Sequence, residues 1–499
     1  MAMYFQNEIV KEIIEKYRQI WSIGHALSLM GWDSETYMPK AGVEERAIAR
    51  AELSLLAQQL ILKPEFVQLV DKASGLEGLN DYEKGVVRVL QREIRIMKAI
   101  PPSLLAELEK TTQEAMHAWR MAKEANDYEK FKPYLDKIIK LTREKADYLG
   151  WKEHPYDALL DLYEEGLTTR DVDRILEPLA KELKALLSSV VYEGRFPQKH
   201  PLEDKQYERD WMERVNLEVL KIVGFPIGER SRLDVSAHPF TISIGLDDVR
   251  ITTRYEGFDF KRSLLSTIHE FGHALYELQI DPGLKYTPLA EGASLGVHEG
   301  QSRFWENVIG RSREFIELIY PILRKNLPLV GRFTPEEVYL YFNTVRPSLI
   351  RTEADEVTYN LHIVLRARLE KLMIEGSVKA GDLPELWNSL MEELVGVKPK
   401  TYSEGVLQDI HWSMGSIGYF PTYTLGNIIA AQLRYHIERE LKLSEKISRG
   451  EFEFIREWLK NKIHRYGKTY PPKELLRMVF GEEYSVELLV KYLKEKYVG

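Results

Sequence analysis

The sequence predicts a mostly α-helical protein with one small β-sheet, and three observations point there. Apolar residues recur at three- and four-residue spacing through most of the 499 residues. That period disappears only between Phe225 and Asp259. Directly after the gap, the run His269-Glu270-Phe271-Gly272-His273 sits in a strongly amphipathic stretch.

In chain order, the period predicts helices over Glu8–Met30, Val43–Leu62, Tyr82–Ala99, Ser103–Ala125, Tyr128–Leu149, Thr169–Val191 and Asp204–Val223. Pro101-Pro102 and Gly150 punctuate the series. Phe240–Ile244 and Asp248–Arg254 are short, β-branched and separated by Gly245-Leu246-Asp247, the pattern of a hairpin in a small sheet. Such a strand beside a metal could hold a peptide backbone by strand addition; a purely structural sheet fits the sequence as well.

Phe260–Gln279 places Leu264, Ile268, Phe271, Leu275 and Leu278 on one face, with Asp259 as N-cap and Asp281-Pro282-Gly283 as the stop. A second apolar set, Leu295, Val297, Phe304, Trp305 and Val308, predicts a helix over Ser294–Gly310. Thr334-Pro335-Glu336-Glu337 reads as a capping box with proline at the first helical position. Pro347 interrupts that helix, and another runs from about Arg351 to Glu375, closed by Gly376. No repeat or flexible linker marks a boundary. The expected organisation is one body over residues 1–499: a helical part to 224, the sheet region 225–259 and a helical part from 260.

Composition narrows the chemistry. With no cysteine, disulfides and thiolate ligands are excluded, so a metal must be held by histidine and carboxylate, a donor set that suits Zn²⁺ or Co²⁺. A formal net charge of −8 without a basic run argues against nucleic acid. The polar, early-acidic N-terminus is unlike a signal peptide, and no apolar stretch reaches membrane-spanning length, so a cytoplasmic protein is expected. The Glu- and Lys-rich composition suits a thermophile, although many mesophilic helical proteins share it.

On a helix, His269 and His273 stand about 40° apart on one face, one turn of about 5.4 Å apart, so both can reach one metal ion. Glu270 then lies beside that ion, placed to take a proton from bound water. A hydrolytic site needs a third ligand and an open position for water. Glu299, in His298-Glu299-Gly300-Gln301, is the chosen third ligand, though spacing does not exclude Glu291 or Glu306. His298 reads equally as a hydrogen-bonded structural histidine or a substrate contact.

At this point the chain resembles the carboxypeptidase Taq family of H-E-x-x-H metallocarboxypeptidases. The resemblance rests on six motifs in order. His238-Pro239-Phe240 matches HPF, Asp248 to Thr252 matches DxRxT, and His269 to His273 is the H-E-x-x-H run. His298 to Gln301 matches HE[SG]Q, Ile350 to Asp355 matches IRxxAD, and Gly405 to Trp412 matches GxxQDxHW. The resemblance implies that His269, His273 and Glu299 bind one divalent metal and that Glu270 is catalytic. It also implies release of single C-terminal amino acids with broad specificity, a large helical body with a deep groove, and a homodimer.

Such an enzyme must read a free carboxylate, a task suited to the paired N–H donors of arginine. Arg351 is favoured and Arg250 is the alternative; a salt bridge from Arg351 to Asp355 or another acid is the bland reading. Asp355 could instead orient a metal-bound histidine. His411 and Tyr423 are candidate donors to the oxyanion of the tetrahedral intermediate, against ordinary aromatic packing. Gln408, Asp409 and His238 are candidates for substrate contact or for holding the site's geometry, and Trp412 is expected to pack. Two other functions fit the metal motif: an endo- or dipeptidyl-type oligopeptidase, and a helical scaffold with a structural metal.

Overall fold

The computed structural model describes residues 4–499. Residues 1–3, part of the N-terminal stretch read as unlike a signal peptide, lie outside the described residues. Helices run from Glu8–Thr36 through Val486–Tyr497, and the described residues contain a single three-stranded sheet. The predicted fold class is therefore observed. No helix of the described residues is long and apolar enough to cross a membrane.

The chain forms two compact units. The first gathers the stretch up to Arg95, Pro201–Phe342 and Gln432–Glu483; the second gathers Ile96–His200, Asn343–Ala431 and Tyr484–Gly499.

In the first unit the sheet consists of β1 (Ser231–Val235), β2 (Thr241–Gly245) and β3 (Asp248–Thr253), in the order β1-β3-β2. β2 and β3 form the predicted hairpin, pairing Thr241 with Ile251. β1 was not foreseen. It pairs parallel to β3, Ser231 with Val249, a contact that no local pattern encodes. The sheet lies on the helix Lys261–Leu278: Thr267 Oγ1 donates to Thr253 Oγ1 at 2.9 Å, and Thr241 Oγ1 sits 3.0 Å from the Glu270 carbonyl oxygen.

Asp259 is not the N-cap of that helix. It adopts φ +50°, and its carboxylate accepts from Tyr341 Oη at 2.6 Å and Arg262 Nε at 2.9 Å rather than from backbone N–H groups. The capping box ahead of Pro335–Phe342 is present as expected, with Thr334 N to Glu337 Oε2 at 2.7 Å and Glu337 N to Thr334 Oγ1 at 3.2 Å.

In the second unit, the helix expected from Arg351 starts later, at Tyr359, and closes at Gly376 with φ +89°. Arg351–Glu353 is a 3₁₀ turn. The delay comes from Asp355, whose carboxylate takes the N–H groups of Val357 and Thr358 at 3.0 Å each and of Arg346 at 3.0 Å. A side chain that satisfies local backbone donors competes with helix formation.

Candidate metal centre

From Ser263 to Leu278 only Ser266, His269 and His273 are not fully buried. The two imidazoles thus occupy the one accessible strip of a helix that packs on every other side. Gly272 explains how the neighbouring helix reaches them. A Cβ at this position would lie 2.6 Å from Ser302 Cα and 2.7 Å from the Gln301 carbonyl oxygen, so the two backbones nearly touch. That crossing brings Glu299, on the helix Leu295–Arg303, against both histidines. Gly272→Ala is expected to push the helices apart and lower metal affinity with all ligands intact; metal titration of the folded variant checks this.

Glu299 Oε2 lies 3.6 Å from His269 Nε2 and 3.5 Å from His273 Nε2. These separations are long for good hydrogen bonds. They suit atoms sharing one ion, since tetrahedral ligands at about 2.0–2.1 Å from zinc sit roughly 3.3 Å apart. Among the described residues this is the one cluster of three such ligands. The other oxygen of Glu299 is occupied, Oε1 accepting from Arg303 Nε at 2.7 Å, so a single oxygen faces the imidazoles.

The predicted helix over Ser294–Gly310 is observed with a change of pitch: after Arg303 it widens into a π-helical turn, Phe304–Ile309. This turn carries Glu306, whose Oε2 sits 2.8 Å from His269 Nδ1. A carboxylate there fixes the proton on Nδ1 and leaves the Nε2 lone pair for a metal. Asp355 does not have this role; its oxygens are consumed by the backbone ahead of Tyr359, and Glu306 stands at the histidine. Of the alternatives for third ligand, Glu306 bonds to His269 Nδ1 and Glu291 is paired with Lys468.

Charges follow from burial and neighbours. Burial alone would raise Glu299 and Glu306, but Arg303 and His269 outweigh it; Glu299 is held far below the carboxylate range and Glu306 is pulled down to about 2. Burial pulls His273 down to about 4, which keeps it neutral and available as a ligand near pH 7. Burial also pushes Glu270 up, against His269 and the Thr241 hydroxyl 2.7 Å from its Oε2. A carboxylate so raised is a stronger base than one in water.

Arg250 forks onto Asp248 (2.8 and 2.7 Å), with its guanidinium 4.1 Å above the Trp32 ring. The His238 side chain is exposed.

In the second unit, Arg351 pairs with Asp409 rather than Asp355, through Nε at 3.0 Å and Nη2 at 2.8 Å. Gln408 accepts from the Arg351 backbone N–H at 3.0 Å. Arg366, fully buried and not singled out from the sequence, donates to the other Asp409 oxygen at 2.7 Å. His411 Nε2 lies 3.2 Å from Tyr423 Oη, and Trp412 packs edge-on to Trp387.

A mostly helical fold with His₂Glu on two crossing helices and a glutamate beside them defines an H-E-x-x-H metallopeptidase. The chain belongs to the carboxypeptidase Taq (M32) metallopeptidase family, whose profile matches residues 12–497. It is a metallocarboxypeptidase, a peptide hydrolase dependent on a divalent metal. It is 60% identical over its whole length to thermostable carboxypeptidase 1 of Pyrococcus furiosus, covering 100% of both chains. It is 39% identical to thermostable carboxypeptidase 1 of Thermus thermophilus over 98% of each. The solved apo-Mg structure of the Pyrococcus furiosus carboxypeptidase superposes with a TM-score of 0.98 at 60% identity, over 99% of this chain and 100% of that one.

Proposed function

We propose that this enzyme removes single amino acids from the free C-termini of peptides with broad side-chain preference, using one Zn²⁺ or Co²⁺ held by His269, His273 and Glu299. The observation that carries the reading is the pair of Nε2 atoms, 3.6 and 3.5 Å from one glutamate oxygen. A divalent ion in such a site lowers the pKa of water and polarises a carbonyl. Glu270 takes the proton of the attacking water and passes it to the leaving amine, two transfers by one carboxylate. The Thr241 hydroxyl orients that carboxylate.

Arg351 is proposed to read the substrate carboxylate. Arg351 and Arg366 share a single aspartate, so the cluster keeps one surplus positive charge, whereas Arg250 is matched one-to-one by Asp248. Gln408 and Asp409 hold Arg351 in place, and His238 is proposed as a substrate contact. His411 and Tyr423 are the proposed donors to the oxyanion; burial holds His411 down to about 4, so it stays neutral near pH 7. We also propose a thermostable, cytoplasmic homodimer. Exposed Ile48, Leu55 and Leu56 on the helix Val43–Ile61 offer an apolar face for a second copy.

The test pairs one peptide with its C-terminal amide and follows products by mass. The free acid is expected to shorten one residue at a time from its C-terminus while the amide resists. Internal cuts, or equal hydrolysis of the amide, would assign the chain to the oligopeptidase reading.

A further inference from the structure

We infer that His298 and Glu277 are positioning residues for the metal centre: together they fix the proton of His273 on Nδ1, so that its Nε2 lone pair faces the metal. The inference rests on the reading of His273 as a ligand, and it concerns two residues to which that reading gives no task.

Glu277 lies four residues after His273 on the same helix, and His298 comes from the crossing helix immediately before Glu299. Glu277 Oε1 is 2.7 Å from His298 Nε2, and His298 Nδ1 is 2.8 Å from His273 Nδ1. A carboxylate only accepts, so the proton of His298 sits on Nε2. With its Nε2 proton donated to Glu277, His298 offers its Nδ1 lone pair, which takes the Nδ1 proton of His273. His273, neutral and protonated at Nδ1, carries its free lone pair on Nε2, the atom 3.5 Å from Glu299 Oε2. Reversing the direction of the His273–His298 bond would put the proton of neutral His273 on Nε2 and close that atom to a metal.

The surroundings hold this relay in register. A Cβ on Gly292 would lie 2.5 Å from His298 Cδ2 and 2.9 Å from Tyr276 Cε1, so the loop backbone lies against both rings. The same loop donates Gly292 N–H to Glu277 Oε1 at 3.0 Å and Ala293 N–H to Tyr276 Oη at 3.0 Å. The Tyr276 and His298 rings are 5.0 Å apart. The two metal histidines are therefore oriented differently, His269 by a carboxylate directly and His273 by a carboxylate acting through a second imidazole.

Chelator competition for Zn²⁺ and Co²⁺ on the full-length protein tests this, alongside the melting temperature of each metal-free variant. Wild type is expected to bind one ion, and His298→Ala to bind it roughly 10- to 100-fold more weakly, the usual loss when an outer partner of a ligand is removed. His298→Asn, which returns an acceptor oxygen near the Nδ1 position, is expected to regain most of that loss. Gly292→Ala removes no polar group but displaces the His298 ring, and is expected to weaken binding as His298→Ala does; it serves as the probe if His298→Ala does not fold. Wild-type affinity in both His298→Ala and Gly292→Ala, whatever their melting temperatures, overturns the inference. Absence of metal binding by wild type, or wild-type affinity in His273→Ala, overturns instead the site reading beneath it.

Discussion

Glu270→Gln is expected to lower kcat roughly 10²- to 10⁴-fold, about 3–5 kcal/mol of transition-state stabilisation, with metal still bound. Glutamine fills the same space and can still accept from the Thr241 hydroxyl, which lies 2.7 Å from Oε2. It cannot take a proton from water, nor deliver one to the departing amine. The metal ligands are unchanged, since His269, His273 and Glu299 form a cluster without Glu270. Loss should therefore appear in kcat and kcat/KM together, with little change in substrate binding. Steady-state kinetics on a defined peptide, with metal content measured on the same sample, decides the matter. Hydrolysis within a few-fold of wild type at full metal loading would remove Glu270 as the base.

The largest expected effect on stability belongs to Asp409→Asn, a loss of about 3–5 kcal/mol, the usual cost of removing one member of a buried ion pair. Arg351 is nearly buried and Arg366 fully so, and Asp409 is their shared carboxylate. Neither guanidinium can shed its charge. The remaining partners, Tyr359 Oη, the His362 carbonyl and Gln408 Oε1, are neutral acceptors.

Burial alone would raise the Asp409 pKa, yet Arg366 and Arg351 hold it far below the carboxylate range. A depressed folded-state pKa gives stability that is fully present above the unfolded value of about 3.9, and is lost only as pH falls below it toward the folded value. Wild type therefore keeps this contribution throughout the neutral and mildly acidic range, and the asparagine variant lacks it at every pH in that range. Urea unfolding at pH 7 measures the difference. A change under about 1 kcal/mol would mean that the two arginines find counter-charge elsewhere.

What the sequence revealed divides by range. The helix bearing His269 and His273, the helix bearing Glu299 and the hairpin of β2 and β3 follow local periodicities, and all were legible. Spacing alone does not separate Glu299 from Glu291 and Glu306, because three acids near two histidines look alike in a sequence. Space separates them: Glu291 meets Lys468, and a π-helical turn swings Glu306 onto His269 Nδ1. A widened turn has no signature in residue spacing.

Asp355 illustrates the opposite failure. Its place in a motif suggested a long-range duty, while a short side chain followed by free backbone N–H groups has a strong local alternative. Arg366 sits within a helix buried almost throughout, and that apolar setting was the available sign that its charge needs a buried partner. The parallel pairing of β1 and the Glu277–His298 relay depend on packing between distant segments, which no window of sequence contains.

The most direct test of the account is the metal bound per chain, measured on dialysed wild type, Glu299→Gln and Glu270→Gln after exposure to Zn²⁺. One ion in wild type and in Glu270→Gln, with retention lost in Glu299→Gln, is the predicted result. One tightly held ion in Glu299→Gln would contradict the assignment of His269, His273 and Glu299 as the set that holds the metal.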